Sequence, residues 1–162
     1  MSESALEDLT RFEEWFEQIR KGLSPHERRR IGHKLGQGLR RSNMKRIAAN
    51  VEPDGTPMEP RKSRRDRRGR LRRRRGRMFK GLRRARNWKI DADADGVEIR
   101  PANGAVDRVA AVSHFGEIAT VGYFPGGGPI RTRYAVRRVL GFGPEDQNLA
   151  IEVAAELFEP KG

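Results

Sequence analysis

The 162-residue sequence predicts an α+β fold. Three observations lead there. Two segments with helical spacing open on capping boxes, the spacing then changes to two between Trp88 and Arg100, and a last helical segment begins at Pro144. The expected inventory is three longer helices, one short helix and a small antiparallel sheet.

Ser4 and Glu7 form a capping box ahead of Leu6, Leu9, Phe12, Phe16 and Ile19. Spacings of three and four place those apolar residues on one helical face, with Glu13, Glu14 and Glu17 largely elsewhere. Lys21–Gly22 is the expected stop, glycine taking the left-handed conformation that closes a helix. Ser24, Pro25 and Glu27 form a second start signal. Ile31, Leu35, Leu39 and Ile47 then recur at multiples of four, so the helix should run to about Asn50. Gly32, Gly36 and Gly38 each weaken it by about 1 kcal/mol relative to Ala; close approach of another helix and a simple cost are both open readings.

Three prolines and Asp54-Gly55 make "EPDGTPMEP" (Glu52–Pro60) a turn cluster. Beyond the arginine run that follows, Met78, Leu82 and Ala85 regain helical spacing. Trp88, Ile90 and Ala92, then Val97 and Ile99, alternate with polar residues around Asp95-Gly96, which predicts a β-hairpin. "VDRVAAVSHFGE" fits a helical turn or a buried strand, "YFPGGGPIRTR" reads as a glycine-rich loop, and "YAVRRVLGF" as a strand or turn. Leu149, Val153, Leu157 and Phe158 form the apolar face of the last helix. The boundaries expected are 1–50 for a helical region, 51–77 for the turn and arginine-rich loop, and 78–162 for the remaining helix, hairpin, loop and C-terminal helix, all in one domain. Phe12, Phe16, Leu35, Met78, Trp88, Ile90, Val97, Leu140 and Val153 are the core candidates.

Charge is concentrated. Residues 61–86 hold sixteen Lys or Arg against one acid, a net of +15, while the whole chain is +13, so the other 136 residues carry −2. This is a near-neutral protein with a cationic insert. Apolar residues make up 35%, below the usual 45–50% or so. No cysteine is present, which excludes disulfides and thiolate chemistry and suits a reducing compartment. The acidic, amphipathic N-terminal residues are neither a secretory signal nor a transit peptide, and no window reaches the roughly 18 apolar residues of a membrane span. A soluble, intracellular protein when made is the expectation.

Nothing in the sequence assembles an active site, and no cofactor is called for. His26 and His33 are seven apart, not the i, i+4 pair of helical zinc sites, and no cysteine joins them. His114, beside Phe115, reads as a packed histidine rather than a catalytic base. "GGGP" (Gly126–Pro129) lacks the Gly-Lys-Ser/Thr of a phosphate loop. The arginine run differs because its composition alone sets its physics. So dense a block is either solvated or neutralised by an anionic partner. Arginine favours bidentate contact with phosphate or carboxylate. The candidate contact residues are Arg64, Arg65, Arg67, Arg68, Arg70, Arg72, Arg73, Arg74, Arg75 and Arg77. Aromatics for base stacking are missing among them, so a nucleic-acid reading would be sequence-independent, through backbone phosphates.

The order of motifs carries a resemblance. "EPDGTPMEPRK" (Glu52–Lys62), a basic stretch, "GRMFKGLRRA" (Gly76–Ala85), "VSHFGE" (Val112–Glu117), "TRYAVRRVLGF" (Thr132–Phe142) and a final "EDQNLAIEVAAELF" helix follow one another. Together, over roughly Leu6 to Phe158, they resemble the phage virion morphogenesis family, the tail-completion proteins of contractile-tailed phages. The arginine run is denser than the family's pattern, and His-Phe-Gly stands where His-Gln-Phe-Gly is common. The resemblance implies a structural, non-enzymatic virion protein with a tail-terminator-like fold. It would form a homo-oligomeric ring, a hexamer matching the six-fold tail tube, at the head-proximal end of the tail, enabling head–tail joining. Tail tube, sheath or neck proteins are the implied partners. The arginines would meet an acidic face of those proteins or DNA passing through the lumen. Sequence-independent nucleic-acid binding is the alternative.

Overall fold

In a computed structural model of the chain, the described residues are 14, 17–18, 21–65, 68–72 and 78–156. The apolar face from Leu6 to Ile19, the Ser4–Glu7 box and the last-helix residues Leu157 and Phe158 lie outside them. Glu14, Glu17, Gln18, Lys21 and Gly22 have helical backbone and are exposed. Gly22 keeps the helical conformation instead of the expected left-handed one.

Helix α1, Pro25–Ala49, is the longest element. Its start follows the sequence signal: the Ser24 hydroxyl accepts from the Glu27 amide at 3.3 Å and the Glu27 carboxylate accepts from the Ser24 amide at 3.0 Å. Asn50 ends it at φ 56°. The second half supplies the core face, where Leu39, Met44 and Ile47 are buried, while Ile31 and Leu35 are half-buried.

A short hairpin follows, β1 (Arg64–Arg65) with β2 (Leu71–Arg72), antiparallel. The helix expected through Met78, Leu82 and Ala85 is not formed: the chain makes turns and then one 3-10 turn, Ala85–Asn87. Helical spacing there reflects two separate burials. Met78 and Leu82 enter the core, and Ala85 is exposed. The predicted hairpin is present as β3 (Trp88–Ala92) and β4 (Val97–Pro101), with Trp88 opposite Pro101 and Ala92 opposite Val97. Its turn is held by Asp93, whose Oδ1 accepts from the amides of Asp95 and Gly96, each at 2.8 Å.

Helix α2, Gly104–Phe115, resolves the ambiguous segment in favour of a helix. Asn103 caps it, accepting from the Ala105 and Val106 amides at 3.1 Å. Gly116 ends it at φ 67°, and a Cβ there would lie 2.7 Å from Val136 Cγ2, so both backbone and packing require glycine. The expected glycine-rich loop is a second hairpin, β5 (Ile118–Tyr123) and β6 (Pro129–Arg133), with only residues 124–128 between the strands. Residues 134–143 join no helix or sheet. Helix α3, Pro144–Ala155, closes the described chain.

Helix α1 packs across β3–β4 on one side and against α3 on another, and α2 packs on β4. The core cluster is Met44, Ile47, Leu82, Trp88, Ala110 and Val139, with Phe79, Ile99, Val106 and Leu140 packed against it. Of the core candidates, Met78, Trp88 and Val153 are buried; Leu35, Ile90, Val97 and Leu140 are half-buried. Phe12 and Phe16 lie outside the described residues. The described residues form an α+β arrangement of helices and small antiparallel hairpins.

Candidate anionic-partner interface

Two of the sequence motifs meet in space. The turn of residues 51–60 is closed by a bridge between Val51 and Pro57 and by the Glu52 amide donating to the Thr56 carbonyl at 2.8 Å. Asp54 accepts from the Thr56 hydroxyl at 2.6 Å and amide at 3.0 Å, and these bonds, with Arg138 beyond them, hold its carboxyl below the usual range. Arg138 then clamps the turn, donating to Glu52 Oε2 at 2.8 Å and Asp54 Oδ2 at 2.7 Å. Its neighbour Arg137 is buried and caps the carbonyls of Glu59 and Pro60. Burial pushes the Arg137 guanidinium down from its ordinary value, while the Glu59 carboxylate opposes that shift. The Arg137 amide also donates to the Ser113 carbonyl at 2.8 Å. So "TRYAVRR" anchors "EPDGTPMEP" and, through Ser113, the "VSHFGE" helix end.

That anchor is the root of the arginine run, which leaves it at Arg61. The run does not stay a plain loop. Arg64 pairs with Arg72 and Arg65 with Leu71, and Gly69 turns the chain at φ 72°. The register sets two arginine positions directly opposite one another, an arrangement that like charges oppose. Alternating hydrophobicity, the usual signal for a strand, is absent here, so sequence reasoning missed the hairpin. Of the candidate contact residues, Arg64, Arg65 and Arg72 lie in its strands, and Arg68 and Arg70 are exposed on its turn. Arg67, Arg73, Arg74, Arg75 and Arg77 lie outside the described residues.

Beside the root, an open groove of about 880 Å³ runs between the returning chain, α2 and β6. Its apolar lining includes Phe79, Leu82, Val106, Val109, Val121 and Tyr134. Phe79 is held at φ 58°, a conformation that costs a bulky residue about 1–3 kcal/mol. Arg61, Lys62, Lys80, Arg133 and Arg137 bring five cations to the same groove, against the single carboxylate of Glu59. Sequence reasoning missed this site because its walls come from five separate segments. Val109, an apolar residue 50% exposed on α2, marks the site only once the fold is known.

Histidine chemistry is not assembled. His26 and His33 are exposed on α1, and His114 stacks edge-on against Phe115 with ring centres 4.8 Å apart. Among the described residues no group of His, Cys, Asp or Glu is placed to hold a metal, and no helix is long and apolar enough to cross a membrane.

Comparison with known proteins agrees with the motif order. Over 148 residues the chain is 31% identical to tail completion protein S of Escherichia phage P2, covering 91% of this chain and 95% of that protein. No solved structure matches it. The model of the phage virion morphogenesis family matches residues 7–159, and the chain belongs to that family.

Proposed function

We propose that this protein completes the phage tail, as a structural subunit and not an enzyme. The observation that carries the reading is the near full-length similarity to tail completion protein S, in both chains, together with the family match. The protein then resides in the virion, at the tail or neck, after assembly in the host cytoplasm. Its subunits form a ring, a hexamer on the six-fold tail tube, at the head-proximal end, where tail and head join. The arginine-rich hairpin, held rigidly at its root by Arg137, meets an anionic surface of an adjoining tail, sheath or neck protein, or the phosphates of DNA in the lumen. Neutralisation by such a partner relieves the like-charge opposition of Arg64 and Arg72. The rival reading, nucleic-acid binding as the whole function, draws no support from the relative or the family.

Light scattering of the purified protein and reconstruction of the tail test this. The expected result is a closed ring at the head-proximal end with the arginine hairpins facing an acidic or DNA surface. A monomer absent from the finished particle overturns it. For the DNA arm, binding to duplex should weaken by orders of magnitude from low to physiological salt; no binding at low salt assigns the hairpin to protein.

A further inference from the structure

We propose that the cationic apolar groove beside the arginine hairpin receives the acidic N-terminal segment, about residues 3–19, of a second copy of this chain. Chemistry matches on both sides. The groove sets Phe79, Val106, Val109 and Val121 beneath a rim of Arg61, Lys62, Lys80 and Arg133. Residues 3–19 carry six acids, Glu3, Glu7, Asp8, Glu13, Glu14 and Glu17, against Arg11 alone. Their apolar residues Leu6, Leu9, Phe12, Phe16 and Ile19 recur at helical spacing. An amphipathic helix laid apolar face down in a groove, with acids towards a basic rim, is an established mode of recognition.

The ring reading, with the geometry of the described residues, selects the copy that supplies it. Leu82, which lines the groove, shares a core cluster with Met44 and Ile47 of α1. Met44 lies nineteen residues beyond Pro25, about 29 Å along the helix at 1.5 Å per residue. Glu14, Glu17, Gln18, Lys21 and Gly22 have helical backbone. A helical Glu14 stays within about 15 Å of Ser24. Residues 14–22 of the same chain therefore stop short of the level of Met44, and the ring reading assigns the groove contact to a neighbour's segment. Segment-into-groove contact is head-to-tail, the kind that closes into rings. The proposal deepens the ring reading above and rests on it.

The absence of native cysteine makes the test direct. Phe12→Cys and Val109→Cys are made in separately tagged chains, mixed and oxidised. Covalent linkage of the two tags is the expected result, and the double variant in one chain should give a ladder of linked subunits. Linkage confined within single chains overturns the proposal. A ring by light scattering with no linkage also overturns it while leaving the ring intact; a monomer with no linkage removes both. As a second measurement, Lys80→Glu with Arg133→Glu should weaken self-association at least tenfold. Glu13→Lys with Glu17→Lys on the segment should restore it. Unchanged self-association in the groove variant, or failure of the restoring pair, counts against the proposal.

Discussion

Asn43 shows how much one residue can hide in a sequence. It fills the gap in the series Ile31, Leu35, Leu39, Ile47, where spacing would ask for an apolar side chain. It is buried, donating to the Leu39 carbonyl at 2.9 Å and accepting from the Gly141 amide at 3.0 Å. Arg46, one turn on, is 7% exposed and contacts Asp146 at 2.8 Å, Glu145 at 3.1 Å and the Gly141 carbonyl at 2.8 Å. Burial alone would push the Asp146 carboxyl up, but Arg46 and the Gly143 amide outweigh it and hold it below the usual range. A buried pair broken on one side costs about 3–5 kcal/mol. For Asp146→Ala the low end is expected, because Glu145 still faces Arg46; urea denaturation at neutral pH measures it. A depressed carboxyl contributes fully above its unfolded value, near 4, and loses that contribution as pH falls through its folded one. The stability gap between wild type and Asp146→Ala should therefore narrow below about pH 4. Trp88 is 1% exposed and its indole donates to the Leu82 carbonyl at 2.7 Å. Trp88→Ala should cost about 3–5 kcal/mol by the same assay.

At the scale of elements, the starts of α1 and α3 were legible and contacts were not. The Ser24–Glu27 box formed as read, since a cap needs only residues three apart. Gly36 illustrates the other case. A Cβ there would sit 2.6 Å from Ile90 Cγ2 and 2.7 Å from Val97 Cγ2, so the β3–β4 hairpin makes the close approach, whereas at Gly38 another helix does, Leu149 of α3 lying 2.5 Å from a Cβ. Gly36→Ala gains about 1 kcal/mol of helix propensity but incurs about 1–3 kcal/mol of overpacking. A net loss of stability is expected, with a lower thermal midpoint as the readout. The segment after the arginine run failed for a related reason: Met78 and Leu82 at helical spacing go to the core from turns. Spacing records which residues are buried, and over one short stretch several backbones deliver the same burial.

For the whole molecule, the concentration of charge in one insert predicts that the arginine run is separable from the stability of the domain. Neutralising Arg72–Arg75 to glutamine should leave the thermal midpoint of the isolated protein nearly unchanged, since these residues lie outside every apolar periodicity of the sequence. The loss should appear as tails that fail to join heads in a complementation assay. By itself the sequence determined the α+β class, the α1 cap, the β3–β4 hairpin, the family and the concentration of charge in one insert. Each of these is local in the chain or a sum over it. Only the tertiary structure decided that Arg137 and Arg138 anchor the root of that insert. It alone placed Asn43 and Arg46 as the polar links from α1 to the start of α3, and assembled a cationic groove from five segments. Those contacts join residues about 80 to 100 positions apart, and their partners are chosen by folding, since nothing in either local stretch names the other.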